Sequence, residues 1–251
     1  MRKPFIAGNW KMNTDSQSSV ALASGLAGEL KDITTVDVAV CPPFVYLQSV
    51  AKALGDSGIA MGAQDFYFEG NGAFTGEISC EMLKDVCCTY ALIGHSERRH
   101  VIGETDELIN QKLLAALKSG LKPILCVGEL LEEREADKTT AVVTEQIEKG
   151  LAGVSAADMA DITIAYEPVW AIGTGVTATA EQAQEVHAMI RKLLAEMYDA
   201  TVAENTRIQY GGSAKPGNTA ELMANPDVDG LLVGGAGLKV EDFSAMIKTV
   251  A

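Results

Sequence analysis

The chain has 251 residues, 47% hydrophobic and 22% charged, with a formal net charge of −14. That length and apolar fraction suffice for a sizeable core and exclude a disordered chain. The acidic balance argues against nucleic acid or an anionic membrane as partner, so any anion site must be locally positive.

The N-terminus, M-R-K-P-F-I-A-G-N-W-K, lacks the apolar stretch of a signal peptide, because Asn9 and Lys11 interrupt it. No apolar run of about 18 residues follows, so no membrane span is expected. The first predicted strand is Phe5–Asn9, and Ser16–Leu30 carries a helical apolar stripe. Strands are predicted at Val36–Cys41 and Ile59–Gln64. A long loop, Phe66–Glu77, then holds Phe66, Tyr67, Phe68 and Phe74. Tyr90–Gly94 runs into His95, and Thr105–Leu117 is helical. Pro123–Val127 is followed by Glu129, and Ile162–Glu167 by Pro168. Thr179–Met197 is the clearest helix, with apolar residues at spacings of three and four and a capping-box pair, Thr179 and Gln182. Arg207–Gly211 and Gly230–Gly234 are the last strands, and helical Val240–Val250 closes the chain.

Eight βα units in about 250 residues are the size of a (β/α)8 TIM barrel, eight parallel strands with outer helices, here read as one domain over residues 1–251. An open doubly wound sheet predicts the same alternation. The polar residues favour closure: Asn9 and Lys11, His95, Glu129, Glu167, Gly211-Gly212-Ser213 and Gly234-Gly235 all lie at C-terminal strand ends. In a barrel those ends share one mouth.

The five cysteines, Cys41, Cys80, Cys87, Cys88 and Cys126, are odd in number and form no C-x-x-C. Reduced, mostly buried thiols in a cytoplasmic protein are expected. His95, His100 and His187 show no ligand spacing with them, so no metal site is expected.

Glu167 ends an apolar strand and precedes Pro-Val-Trp-Ala-Ile-Gly-Thr-Gly. A carboxylate held there, under a covering segment, is a candidate general base whose pKa burial would raise. A helix-capping or half-exposed acid is the alternative. His95 precedes a short helical start at Ser96-Glu97, a position that disfavours the imidazolium; a backbone-bonded core histidine is the other reading. Lys11 either enters the mouth to meet an anion or points to solvent. Glu97 either orients Lys11 or belongs to a solvated charged run. The glycine pairs after strands seven and eight offer backbone N–H groups to a phosphate. Gly173-Thr-Gly175-Val-Thr-Ala178 matches G-x-G-x-x-A, but Glu167 to Ile172 separate it from the strand, unlike a dinucleotide fingerprint.

The motifs G-N-W-K-M-N (8–13), G-A-F-T-G-E (72–77), I-G-H-S-E-R-R (93–99), A-Y-E-P-V-W-A-I-G-T-G (165–175), Y-G-G-S (210–213) and L-V-G-G-A (232–236) closely resemble the triosephosphate isomerase family, in its order and over nearly the whole chain. The resemblance implies interconversion of dihydroxyacetone phosphate and D-glyceraldehyde 3-phosphate, in glycolysis and gluconeogenesis, without metal or cofactor. It implies that Glu167 moves the carbon-bound proton and that His95, Lys11 and Asn9 serve the substrate oxygens. It assigns the phosphate to Gly173, Ser213, Gly234 and Gly235, and a supporting place to Tyr210 and Glu97. Pro168, Val169, Trp170, Ala171, Ile172, Gly173, Thr174, Gly175 and Val176 become a lid. A homodimer is implied through loop Phe66–Glu77, bringing Thr75 to the other subunit's Asn9 and Lys11. Three positions depart from the usual pattern: Val176 (often lysine), Gly237 (commonly serine) and Ile102 (frequently phenylalanine). Two other functions fit parts of the sequence, a nicotinamide-dependent oxidoreductase and a non-catalytic phosphate-binding barrel.

Overall fold

A computed structural model describes residues 2–172 and 177–251. Eight strands form the sheet: β1 (Phe5–Asn9), β2 (Asp37–Cys41), β3 (Ala60–Ala63), β4 (Cys88–Ile93), β5 (Lys122–Val127), β6 (Thr163–Tyr166), β7 (Arg207–Tyr210) and β8 (Gly230–Val233). Every neighbouring pair is parallel, and β1 pairs with both β2 and β8, so the sheet closes in chain order. An open sheet, with two free edges, is thereby excluded.

β1, β2 and β5 end where the sequence places their ends, and the other five strands end one residue earlier than the apolar pattern suggests. Gly94, Glu167, Gly211 and Gly234 have left the ladder and begin the loops. β4 starts earlier than expected, because Cys88 pairs with Met61 across a register shift at Met61/Gly62. The four helices read from the sequence are present at Ser16–Leu30, Asp106–Ser119, Ala180–Met197 and Val240–Val250. Thr105 and Thr179 stand just outside theirs as caps, each accepting an N–H of the first turn, and Gln182 completes the capping box.

Both faces of the barrel wall are buried, which is why the strands read as apolar runs rather than as alternation. Phe5, Ala7, Ala39, Tyr90, Leu92, Cys126, Ala165 and Leu232 fill the interior. Ile6, Val38, Val40, Ile93, Val127 and Ile164 pack outward under the helices. Side chains alternate along a strand, so the interior set continues upward in steps of two. Ala7 leads to Asn9, Ala165 to Glu167 and Leu232 to Gly234. The residues above the last apolar interior layer are those that face the mouth. The cysteines are all free, and four of the five are buried.

His187, on the helix Ala180–Met197, is fully buried and its Nδ1 lies 3.1 Å from the Asp227 carbonyl oxygen. That contact requires a proton on Nδ1. Burial, with the nearby Arg191 charge, depresses its pKa to about 4. The unfolded chain takes up this proton near pH 6.5. Folding stability is therefore unaffected by His187 above pH 7 and falls as pH drops from about 6.5 to 4. A loss of roughly 2–3 kcal/mol at pH 4.5 is expected from this residue. Urea unfolding of wild type and His187→Asn at pH 7.5 and 4.5 checks this. Equal pH dependence in both proteins would remove His187 as the cause.

Candidate active site

Asn9, Lys11, His95, Glu167, Ser213, Gly234 and Gly235 line one cavity of about 560 Å³ at the C-terminal end of the barrel. Gly173 lies outside the described residues, as do Thr174, Gly175 and Val176.

Lys11 occupies the left-handed region, with φ of 51°. A non-glycine residue there is strained and needs support. The support comes from two amides. Asn9 Oδ1 accepts the Lys11 backbone N–H at 2.9 Å, and Gln64 Nε2 donates to the Lys11 carbonyl at 2.7 Å and to the Cys41 carbonyl at 2.9 Å. The backbone turn aims the side chain into the cavity, where Nζ lies 2.5 Å from Glu97 Oε1. Glu97 is therefore ion-paired with Lys11 and is not a free solvated charge.

His95 follows Gly94, whose φ of 70° turns the chain out of β4. The helical turn of 96–102 begins directly after it, and the His95 carbonyl accepts the N–H groups of Arg98 and Arg99. The Glu97 backbone N–H points at His95 Nδ1 from 3.2 Å. That bond needs a lone pair on Nδ1 and leaves the proton on Nε2. Nε2 stands 2.9 Å from Glu167 Oε1.

Glu167 is 2% exposed. Its backbone N–H donates to Val127 across the β5–β6 seam at 2.7 Å, and Oε2 accepts the Ser96 N–H at 3.0 Å. Gly211 makes room for it: a Cβ there would fall 2.8 Å from Glu167 Cγ. The sequence suggested a carboxyl raised by burial. Burial does push it up, but His95, the Ser96 N–H and Lys11 outweigh that, and the net shift is downward. The same contact corrects the expectation for His95. Burial lowers its pKa, but the Glu167 carboxylate raises it further, and the net shift in this resting arrangement is upward.

Pro168 leads into a 3-10 turn, Val169–Ala171, with Ala171 buried and Ile172 lining the cavity. Glu129, wholly buried at the end of β5, anchors this turn. Its carbonyl accepts the Val169 N–H at 3.1 Å. Its Oε1 receives Trp170 Nε1 at 2.9 Å, Tyr166 Oη at 3.1 Å and Arg134 Nη1 at 3.2 Å. The Arg134 guanidinium also sits 4.9 Å over the Trp170 ring. Tyr210 is buried beside the glycine pair, where a Cβ on Gly212 would approach its Oη to 2.3 Å.

Sequence reasoning gave no role to Glu129, Arg134 or Gln64. An acid two residues beyond the apolar β5 run was the available sign for Glu129. Gln64 and Arg134 carried none.

Thr75 is exposed on the loop after β3 and does not line the cavity of its own chain. Phe66 is 1% exposed, so it is a core residue and not one of that loop's exposed aromatics. The Tyr67 N–H bonds to Ile78 at 2.8 Å, folding the loop back and turning Phe66 inward. Tyr67 stacks with Phe68 and Phe74, at 4.5 and 4.8 Å between ring centroids, and Phe74 is 39% exposed. Gly237 is buried in the turn Gly235–Leu238, where a Cβ would make ordinary contact with Gly8; nothing in the structure explains why serine is absent there.

The family model described as triosephosphate isomerase matches residues 4–250. The chain is 58% identical over 248 residues to the triosephosphate isomerase of Carboxydothermus hydrogenoformans, covering 99% of each. It is 53% identical over 247 residues to that of Rhodopirellula baltica, covering 98% of this chain and 97% of the relative. It is also 53% identical over 247 residues to that of Moorella thermoacetica, covering 98% of each.

Proposed function

The chain belongs to the triosephosphate isomerase family and interconverts dihydroxyacetone phosphate and D-glyceraldehyde 3-phosphate, and we propose that Glu167, His95, Lys11 and Asn9 carry the proton transfers. The observation that carries this assignment is the buried Glu167 carboxylate facing His95 Nε2 at 2.9 Å inside a cavity that also holds Lys11. A substrate entering between them replaces that contact. Freed from the imidazole, Glu167 keeps its burial and becomes a stronger base. Freed from the carboxylate, His95 loses the charge that raised its pKa, and the Glu97 N–H on Nδ1 holds it neutral with Nε2–H toward the substrate.

Glu167 removes a proton from the carbon beside the carbonyl. The electron pair moves to the carbonyl oxygen, giving an enediolate stabilised by Lys11 Nζ, the Asn9 amide and His95 Nε2–H. His95 then gives its Nε2 proton to one oxygen and takes one from the neighbouring hydroxyl. Glu167 returns its proton to the other carbon, and the groups end as they began. Proton transfers alone balance the reaction. Backbone N–H groups at Ser213, Gly234 and Gly235, with Gly173, hold the phosphate. Pro168 to Val176 cover the site and keep water from the enediol. The nicotinamide oxidoreductase and the non-catalytic barrel are set aside by the family assignment.

We further propose a homodimer through the loop Phe66–Glu77. Among the described residues, eight of the nine large exposed apolar side chains, Met12, Phe44, Val45, Phe74, Met82, Val101, Ile102 and Leu114, lie on segments after β1 to β4. Apolar groups gathered on one side of a surface mark an interface. The departure at Ile102 falls in this set. Burying that side would carry each Thr75 toward the partner's site. One domain over 1–251 and a cytoplasmic setting fit the closed barrel and the five free thiols.

A coupled assay with dihydroxyacetone phosphate, run over a dilution series alongside sizing, tests both proposals. Turnover by a dimer, with specific activity falling as the dimer dissociates, is expected. A fully active monomer would contradict the role of Thr75. Absence of turnover at any concentration would contradict the assignment of the four groups.

A further inference from the structure

The direction of the His95 side chain depends on the two peptide planes that flank its Cα. One residue holds both. Arg99 Nε donates to the Gly94 carbonyl at 2.7 Å, which fixes the 94–95 peptide. The Arg99 backbone N–H donates to the His95 carbonyl at 3.1 Å, which fixes the 95–96 peptide. That second peptide presents its other end, the Ser96 N–H, to Glu167 Oε2 at 3.0 Å.

The same guanidinium reaches the next strand. The β4–β5 ladder ends with Ile93 opposite Leu125, and Gly94 then turns away at φ of 70°. The Val127 carbonyl is directed at β6, where it takes the Glu167 N–H. Carbonyls alternate in direction along a strand, so that of Cys126 faces the β4 side. Arg99 Nη2 donates to it at 3.1 Å and replaces the rung that β4 no longer supplies. Nη1 meets Asp106 Oδ1 at 2.6 Å, at the start of the helix Asp106–Ser119. The Arg99 side chain is 7% exposed, and it is absent from the described residues that line the cavity. A Cβ on Gly94 would fall 3.0 Å from Nη2, so the fit leaves little slack.

We propose that Arg99 is a positioning residue that sets His95 against Glu167, with Asp106 holding its guanidinium in place. This rests on the reading of His95 and Glu167 as reacting groups. Both are referenced to β5: Glu167 through Val127, and His95 through Arg99 and the neighbouring Cys126. The 2.9 Å between Nε2 and Oε1 is thus the difference between two anchors on one strand. Loosening one anchor costs rate, because proton transfer depends steeply on alignment. It does not cost phosphate affinity, because the phosphate contacts follow β7 and β8.

The test compares wild type with Arg99→Lys and Asp106→Asn. Lysine keeps the positive charge but lacks the fork, so it cannot bridge two carbonyls while meeting Asp106. A change at His95 then reports geometry and not lost charge. Arg99→Lys is expected to lower kcat by about 10- to 100-fold, with KM and inhibition by inorganic phosphate within about twofold of wild type. Titration of His95 by NMR is expected to give a lower pKa, because the Glu167 carboxylate that raises it stands farther away. Asp106→Asn gives smaller changes in the same directions. A folded Arg99→Lys protein with wild-type kcat and a wild-type His95 titration, its loss confined to thermal stability, would overturn the proposal. If Arg99→Lys does not fold, Asp106→Asn decides, and wild-type values of both quantities there would overturn it. If wild type shows no turnover, the catalytic reading of His95 fails, and the titration still reports whether Arg99 sets the contact.

Discussion

Glu167→Gln is expected to lower kcat by roughly 10²–10⁴-fold while leaving the affinity for inorganic phosphate within about twofold of wild type. The exchange is nearly isosteric, so the space above Gly211 stays filled and the cavity keeps its shape. An amide oxygen still accepts the Ser96 N–H that Glu167 Oε2 now takes at 3.0 Å. What the amide lacks is a basic lone pair able to carry a proton from carbon. Phosphate contacts lie on other segments, after β7 and β8, and do not pass through this side chain. Steady-state kinetics, with phosphate as competitive inhibitor, separates the two quantities. A proportional loss in both would mean that Glu167 holds the cavity together and is not the base.

The variant also bears on the lowered pKa of the resting carboxyl. With the carboxylate gone, the largest interaction that raises the His95 pKa is removed, and only the weaker pull of the Glu97 carboxylate remains. Burial and the Glu97 N–H then act in the same direction, toward neutral imidazole. Titration of His95 by NMR is expected to give a lower pKa in Glu167→Gln than in wild type. An unchanged value would mean that the 2.9 Å contact is not what sets the imidazole's charge.

How much of this site could be read beforehand depends on the range of the forces involved. Asn9, Glu167 and Gly234 were legible because strand alternation is local: each continues an interior row of Phe5 and Ala7, of Ala165, or of Leu232. The helix caps at Thr105 and Thr179 were legible for the same reason. The pKa directions at Glu167 and His95 were not. They follow from one contact between residues 72 positions apart, and burial alone predicts the opposite sign for both. Glu129 was placed at a strand end but given no role, and Gln64 was missed, because their work is to join loops of different strands. Gln64 ties the end of β2 to the turn after β1, and Glu129 ties the end of β5 to the turn after β6. Nothing in a strand's own periodicity records such a bond. Phe66 shows the limit in the other direction, since an aromatic in a glycine-rich loop looks exposed until the Tyr67–Ile78 bond turns it inward.

Lys11→Met is expected to reduce kcat/KM by about 10²–10³-fold, through both kcat and KM. The ammonium is the positive charge at the reacting end of the cavity, and it faces an enediolate that is more negative at oxygen than the substrate is. Its loss therefore weakens the transition state more than the ground state, which lowers kcat. The phosphate dianion loses an attractive charge as well, which raises KM. The loss also leaves the Glu97 carboxylate, now paired at 2.5 Å, as a repelling group beside the anion. Lys11→Gly separates this chemistry from the backbone. Residue 11 sits at φ of 51°, a conformation that costs an L-residue about 1–2 kcal/mol and glycine little. The glycine variant is expected to lose activity as severely as Met while its urea midpoint holds or rises. The methionine variant keeps the strain and shows no such gain. A lysine at this position that merely pointed to solvent would give near-wild-type kcat/KM in both variants, and a lysine needed only to hold the turn would give a glycine variant that is active. Activity lost in both, with stability maintained or improved in the glycine variant, means the ammonium is held in a strained turn for its charge.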